Sequence, residues 1–211
     1  MQALIKLGGS LQQFPRALKK LCQQITFASE KHNLHILPGG GGFADKVRFL
    51  DDQYRLDQTT THWMAITAME AYAYLLHYLM PESLISHEIL EKPPNKPKII
   101  LPYTHLRAVD IFPHSWDVSS DSIAVYYAHR LNSALILLKT VDGINDVHGA
   151  LIKELDVNEL RTKETNIVDA AFVETLQQYR VKECWIINGL IPTRLLTLLQ
   201  SKRVIGTKLI H

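Results

Sequence analysis

The sequence predicts an α/β protein, a three-layer αβα sandwich around a largely parallel central sheet. Three observations carry that expectation. Short apolar runs alternate along the chain with stretches of helical period, the mark of repeated strand–helix units. The run Ala134-Leu135-Ile136-Leu137-Leu138 is apolar throughout, as a strand covered on both faces requires. Two strands also open directly into glycine turns, Gly8-Gly9-Ser10 after Ala3–Leu7 and Gly39-Gly40-Gly41-Gly42 after His35-Ile36-Leu37-Pro38.

Taken in order, the first unit is the strand Ala3–Leu7, the Gly-Gly-Ser turn, and a helix. In that helix Phe14, Leu18, Leu21, Cys22 and Ile25 recur at helical spacing, with Pro15 in the first turn. The second unit is the strand at 35–37, the four glycines, and a helix starting at Phe43 and running through Leu50. Residues 51–61 are polar and read as a connection. A long helix is expected from His62 to Met80, stopped by Pro81. Pro93-Pro94-Asn95-Lys96-Pro97 reads as a turn before the strand Lys98–Leu101, while Tyr103 to His114 has no clear assignment. Ser119, Ser120 and Asp121 are each suitable N-caps for a helix over 122–131. After the buried strand 134–138, Val141-Asp142-Gly143-Ile144-Asn145-Asp146 is turn chemistry, and a hairpin through His148-Gly149 follows. Helices near 157–161 and 170–179, a buried strand Cys184–Ile187, a helix over 192–200 and a strand over 204–210 complete the chain. Gly206-Thr207 reads most simply as a turn.

The 211 residues suffice for one domain burying roughly 70% of its unfolded surface. A hydrophobic fraction of 46% and a charged fraction of 21% are those of a globular chain. The net charge of +2, with no Lys/Arg run, argues against a nucleic-acid partner. Glu70, Thr67 and His77 interrupt the segment from Trp63 to Met80, which argues against a membrane span. Cys22 and Cys184 stand far apart and outside any CxxC pattern, so reduced thiols and a cytoplasmic location are expected, and Lys6 and the glycines break up any leader-like N-terminal run.

A glycine turn between strand and helix places bare N–H groups at the positive end of a helix dipole, where anions bind. Two such turns suggest a protein that brings two phosphates together. Standard nucleotide signatures are missing: there is no GxxxxGK[ST], and the glycine run lacks the third spaced glycine of GxGxxG. No HExxH or paired Cys/His spacing indicates a zinc site.

Lys6-x-Gly8-Gly9-Ser10, then Pro38-Gly39-Gly40-Gly41-Gly42, then the turn centred on Asp121, then Val141-Asp142-Gly143-Ile144, resembles the amino acid kinase superfamily in order and spacing over nearly the whole chain. That family includes acetylglutamate, aspartate, uridylate and isopentenyl phosphate kinases. Ser115–Ser122, Val168-Asp169 and Ile187–Arg194 resemble a small branch that phosphorylates the aminomethylfuran-methyl phosphate intermediate of methanofuran biosynthesis.

The resemblance implies one kinase-like domain over 1–211, with an acceptor side at about 1–115 and a nucleotide side at about 116–211. It implies ATP and Mg2+, the metal carried mainly by nucleotide oxygens and water, and a small phosphorylated metabolite as acceptor. Lys6 would neutralise charge on the moving phosphoryl group, and Asp121 would orient Lys6 and the metal's water shell. Gly8, Gly9 and Ser10 would hold the nucleotide's outer phosphates, and Lys139, Asp142 and Gly143 would lie near its ribose and base. Gly39, Gly40, Gly41 and Gly42 would grip the acceptor. Arg48 and His62 are candidates for the acceptor's own phosphate, since a guanidinium's forked donors suit that group. Family members often form dimers or rings, which leaves room for a homo-oligomer.

The second lysine found in several of these kinases has no counterpart in Asn166–Phe172, so either Lys139 takes its place or the charge arrangement differs. Plainer readings stand beside these. Lys6 alone would pass for a strand-end surface lysine, Asp121 for an N-cap, Arg48 for a solvated helix residue, and His62 for a satisfied, partly buried histidine. Asp117 reads as structural, and Trp63, Trp116 and Trp185 as core. Three functions remain open: a kinase of phosphomonoesters, a carboxylate kinase making acyl phosphates, and a member of the fold that binds nucleotide or oxyanions without turnover.

Overall fold

In the computed structural model, residues 1–89, 95–162, 166–201 and 203–210 are described; Pro93 and Pro94 of the expected proline turn lie outside them. Strand β1 (Gln2–Leu7) passes through a short 3-10 turn (Gly9–Gln13) into α1 (Pro15–Ser29), with Pro15 at the first helical position. β2 (Asn33–Pro38) leads to α2 (Gly41–Tyr54), and three residues separate that helix from α3 (Gln58–Leu79). The expected connection over 51–61 is therefore mostly helical. Its polarity belongs to solvent-facing surfaces, and Asp57 caps α3 by accepting from Thr60 N at 2.9 Å.

β3 (Leu84–Ser86) and β4 (Lys98–Ile100) precede α4 (Tyr103–Val109), which occupies the unassigned stretch, and α5 (Ser120–Arg130) leads into β5 (Ala134–Lys139). A bridge between Asn145 and Leu151 closes the expected hairpin. Then come β6 (Glu154–Asp156), α6 (Val157–Thr162), α7 (Phe172–Gln178), β7 (Cys184–Asn188), α8 (Thr193–Ser201) and β8 (Gly206–Ile210). Gly206-Thr207 is the start of β8 rather than a turn. Thr207 Oγ1 accepts from Ile144 N at 2.8 Å and donates to Ile152 O at 2.6 Å, pinning the hairpin to the sheet.

The eight strands form one sheet in the order β3-β4-β2-β1-β5-β7-β8-β6, parallel at every pairing except β7 with β8. β1 is central, with β2 on one flank and β5 on the other. Alternate residues point to opposite faces, and the buried side chains sort accordingly. Leu4, Leu37, Leu135 and Leu137 pack under α5 and α7, where Phe172 is fully buried. Ala3, Ile5, Leu7, Ile136 and Leu138 pack against α1 and α8. The three layers follow directly. Lys6 shares Leu4's parity and Lys139 shares Leu137's, so both lysines emerge toward the start of α5. No described helix is long and apolar enough to cross a membrane.

Candidate active site

The two glycine bends meet through bare backbone. Gly39 N donates to Leu7 O at 2.8 Å and Gly8 N donates to Leu138 O at 2.9 Å, which locks the ends of β1, β2 and β5 side by side. A Cβ on Gly9 would fall on Gly41 N, and one on Gly39 would lie 2.7 Å from Gly9 N. Gly41 has φ +55, a conformation that glycine reaches without strain.

These same bonds take two amides of the bends. Those of Gly8 and Gly39 point into the protein, and neither residue lines the cavity or the cleft described below. Gly42 N is taken by Gln12 Oε1 at 3.1 Å. Helix α2 begins at Gly41 rather than Phe43. The first N–H groups of a helix have no intrahelical acceptor. Among the described residues this leaves the amides of Gly9 and Ser10 in one bend and Gly40 and Gly41 in the other without a protein partner.

Behind the bends lies a buried trio. Lys6 Nζ is 2.8 Å from Asp121 Oδ1, and Lys139 Nζ is 2.5 Å from Asp121 Oδ2. Burial alone would raise the Asp121 pKa, but the two ammonium groups outweigh it and hold the carboxyl below its ordinary value. Burial, and then the charge of Lys6, pull the Lys139 pKa down to about 8 against the opposing pull of Asp121 and Asp169. Asp121 is not the N-cap of α5. That place belongs to Ser119, whose hydroxyl accepts from Asp121 N at 3.5 Å.

In front of the bends is a cavity of about 240 Å³, lined by Gly9, Ser10 and Gly40–Gly42 at one end. Ile66, Met69, Val118 and Ile123 give it an apolar wall. Among its described lining residues Arg48 is the one cation. Its guanidinium lies 4.5 Å over the Trp116 ring and 3.2 Å from Asp45. Trp116 packs against the small apolar cluster of Ala44, Val47 and Ala68 and also lines the cavity, its indole N–H donating to Asp51 at 2.9 Å. His62 also lines the cavity, stacked on His114 with centroids 4.5 Å apart. Burial, helped by the charge of His114, pushes the His62 pKa down to about 4, so its ring is neutral at pH 7.

A second, wider cleft of about 1020 Å³ opens beyond β5, lined by Asp142, Gly143, Asn166 and Ile167 among others. Asp142 Oδ1 there accepts from Arg194 at 2.6 Å and from Asn188 at 2.8 Å. Gly9 and Ser10 line the first cavity, not this cleft. Arg194 and Asn188, both within the Ile187–Arg194 stretch of the family resemblance, reach the cleft through Asp142, a contact that no sequence spacing indicates. Among the described residues no group of three or more His, Cys, Asp or Glu side chains could hold a metal ion.

Four unclaimed amides and two buried lysines bridged by a carboxylate thus gather anion-binding groups near a cavity and a cleft. The family model described as "Amino acid kinase family" matches residues 1–188, and the chain belongs to the amino acid kinase family. It is 31% identical, over 98% of its own length and 97% of the relative's, to "[5-(aminomethyl)furan-3-yl]methyl phosphate kinase" of Methanocaldococcus jannaschii. Its fold is shared with uridylate kinase from Archaeoglobus fulgidus (TM-score 0.77, 16% identity, all of both chains). Aspartate kinase from Synechocystis shares it too (TM-score 0.72, 16% identity), with this chain matched in full to 40% of that one. The protein is a kinase.

Proposed function

We propose that this kinase transfers the γ-phosphoryl group of ATP to the phosphate of [5-(aminomethyl)furan-3-yl]methyl phosphate, giving the diphosphate and ADP. The observation that carries the reading is the backbone contact between Gly9 and Gly41, which sets two pairs of unclaimed amides beside each other in front of Lys6. An oxygen of the acceptor phosphate attacks the γ-phosphorus as the bond to the β-phosphate bridging oxygen breaks. The acceptor is already ionised, so no general base is needed, and the work is positioning and charge neutralisation.

Lys6 and Lys139 supply the positive charge, with Asp121 holding both. This puts Lys139 in the place of the second lysine absent from 166–172. The amides of Gly40 and Gly41 grip the acceptor phosphate at the start of α2, and those of Gly9 and Ser10 face the transferring group. Hydrogen bonds to charged groups contribute roughly 1.5–3 kcal/mol each, enough in sum to offset much of the repulsion between two phosphates. Arg48 and neutral His62 complete the acceptor end, His62 as a hydrogen-bond donor rather than a cation.

The cleft at Asp142 and Gly143 takes the nucleoside, with Asp142 held in place by Arg194. Residues to about 115 form most of the acceptor side of the single domain, where Trp116, Val118 and Ile123 join them, and the rest the nucleotide side. Both Asp121 oxygens are engaged by lysines, so a magnesium ion fits here on phosphate oxygens and water, where it would neutralise charge. The acceptor cavity is small and half apolar, which suits a furan ring better than an amino acid.

The test is incubation with ATP, magnesium and this phosphate, with aspartate, glutamate and uridine monophosphate as competing acceptors, and product read by mass spectrometry. The expected product is the furan diphosphate. Preferential formation of an acyl phosphate or of uridine diphosphate would overturn the reading.

A further inference from the structure

Asp169 has no part in the transfer chemistry described above, yet four donors converge on its carboxylate. Oδ2 accepts from Ser119 N at 3.0 Å, Ser119 Oγ at 2.7 Å and Ser122 N at 3.0 Å, and Oδ1 accepts from Ser122 Oγ. Ser122 N is one of the first-turn amides that a helix cannot satisfy itself. Asp121 sits between the two serines, so this turn cannot shift without carrying Asp121 with it. The segment bearing Asp169 is itself anchored. Ala171 N donates to Asp117 O and Phe172 N to Asp169 O, each at 3.1 Å, and the Phe172 side chain is fully buried.

We propose that Asp169 is a positioning residue: it fixes the first turn of α5 and thereby the place at which Asp121 holds Lys6 and Lys139. The inference rests on the reading of those lysines given under the proposed function. A helix cap alone would contribute stability and nothing more. Here the carboxylate also faces Lys139, whose surroundings are Lys6 on β1, Asp121 on α5 and Asp169 before α7. The thiol of Cys184 on β7 faces Asp121 and stays neutral, its pKa raised by burial. Asp169 thus favours the charged form of Lys139 as well as fixing its partner.

The experiment compares wild type with Asp169→Asn, which keeps the shape and removes the charge. An ångström of displacement at a transfer site costs on the order of 10²-fold, so kcat should fall by roughly 10- to 100-fold while both KM values stay within about threefold. The alkaline limb of kcat/KM, which reports the free enzyme and lies near pH 8 in the wild type, should move to lower pH. Lys139 Nζ, followed by NMR in lysine-labelled protein and assigned with Lys139→Arg, should titrate lower by the same amount.

Ser122→Ala, a milder change, guards against misfolding. Its effect on kcat should be in the same direction, and the double variant should be no worse than Asp169→Asn. An unchanged kcat with an unchanged Lys139 titration overturns the proposal, as does a rise in both KM values at constant kcat. Wild type that phosphorylates no phosphomonoester would refute the acceptor reading alone, because the Lys139 titration decides the positioning role without any acceptor.

Discussion

Replacing Asp121 by asparagine removes the carboxylate between two ammonium groups whose side chains are 5% and 13% exposed. Stripping one partner from a buried ion pair costs about 3–5 kcal/mol, because the charge left behind can neither pair nor hydrate. For a chain of this size each kcal/mol lowers the melting temperature by about 2–4 °C, so a loss of roughly 6–20 °C is expected. The loss should depend on pH in a particular way.

Lys139 has a folded pKa of about 8 against an ordinary 10.5, so between pH 6 and 7 it is protonated both folded and unfolded and adds almost no slope, and only toward pH 8 does the folded form begin to lose its proton. Without Asp121 its folded pKa falls further. The unfolded variant then binds one more proton than the folded variant, and stability rises with pH by up to about 1.4 kcal/mol per unit. The gap between variant and wild type should therefore narrow by up to about 2.3 kcal/mol from pH 6 to 8, and level off above about pH 9 where both proteins share the slope. Urea unfolding at half-unit pH steps, followed by tryptophan fluorescence, reads this directly. A loss below about 1 kcal/mol, or a gap that stays flat across that range, would refute the electrostatic account of the trio.

Lys6→Ala should cut kcat by roughly 10²–10³-fold, as for loss of one preorganised transition-state donor, with circular dichroism unchanged. Near-normal turnover would remove Lys6 from its role. Gly9→Ala puts a methyl group on Gly41 N. Turnover should fall by at least about 10²-fold with the melting temperature also lowered, and full activity would mean that the bends part without consequence. Arg48→Ala should raise the acceptor KM by about tenfold or more, the equivalent of one charged hydrogen bond, while the ATP KM holds. Equal weakening of both would place Arg48 outside the acceptor end.

Much of this could be read from the chain because its strongest signals are local. Unbroken apolar runs mark strands buried on both faces, and glycine after a strand marks a bend, so the bounds of β1, β2, β5 and β7 are legible to within two residues. Strand parity alone aims Lys6 and Lys139 at one face. What stayed hidden depends on neighbours distant in sequence. Residues 51–61 are polar because α2 and the start of α3 turn that side to water, and helical period is faint in so short a window. β3 and β6 have three residues each, too few to show an alternation. That the amides of Gly8 and Gly39 are consumed by Leu138 and Leu7 is a matter of pairing between strands. The capping role of Asp169 across α5 spans 47 and 50 residues, which no spacing rule covers.

The central placement of β1 has a consequence for how the enzyme comes into being. Its two partners arrive at very different times: β2 lies some thirty residues downstream, whereas Ala134, opposite Ala3, lies 131 residues on (134 − 3). Long-range parallel pairing forms slowly, since a large loop must close before any contact repays it. A nascent chain on the ribosome thus carries Lys6 long before Lys139 exists, and Asp142, Asp169 and Arg194 follow later still. The groups gathered around Lys6 can come together only near the end of synthesis.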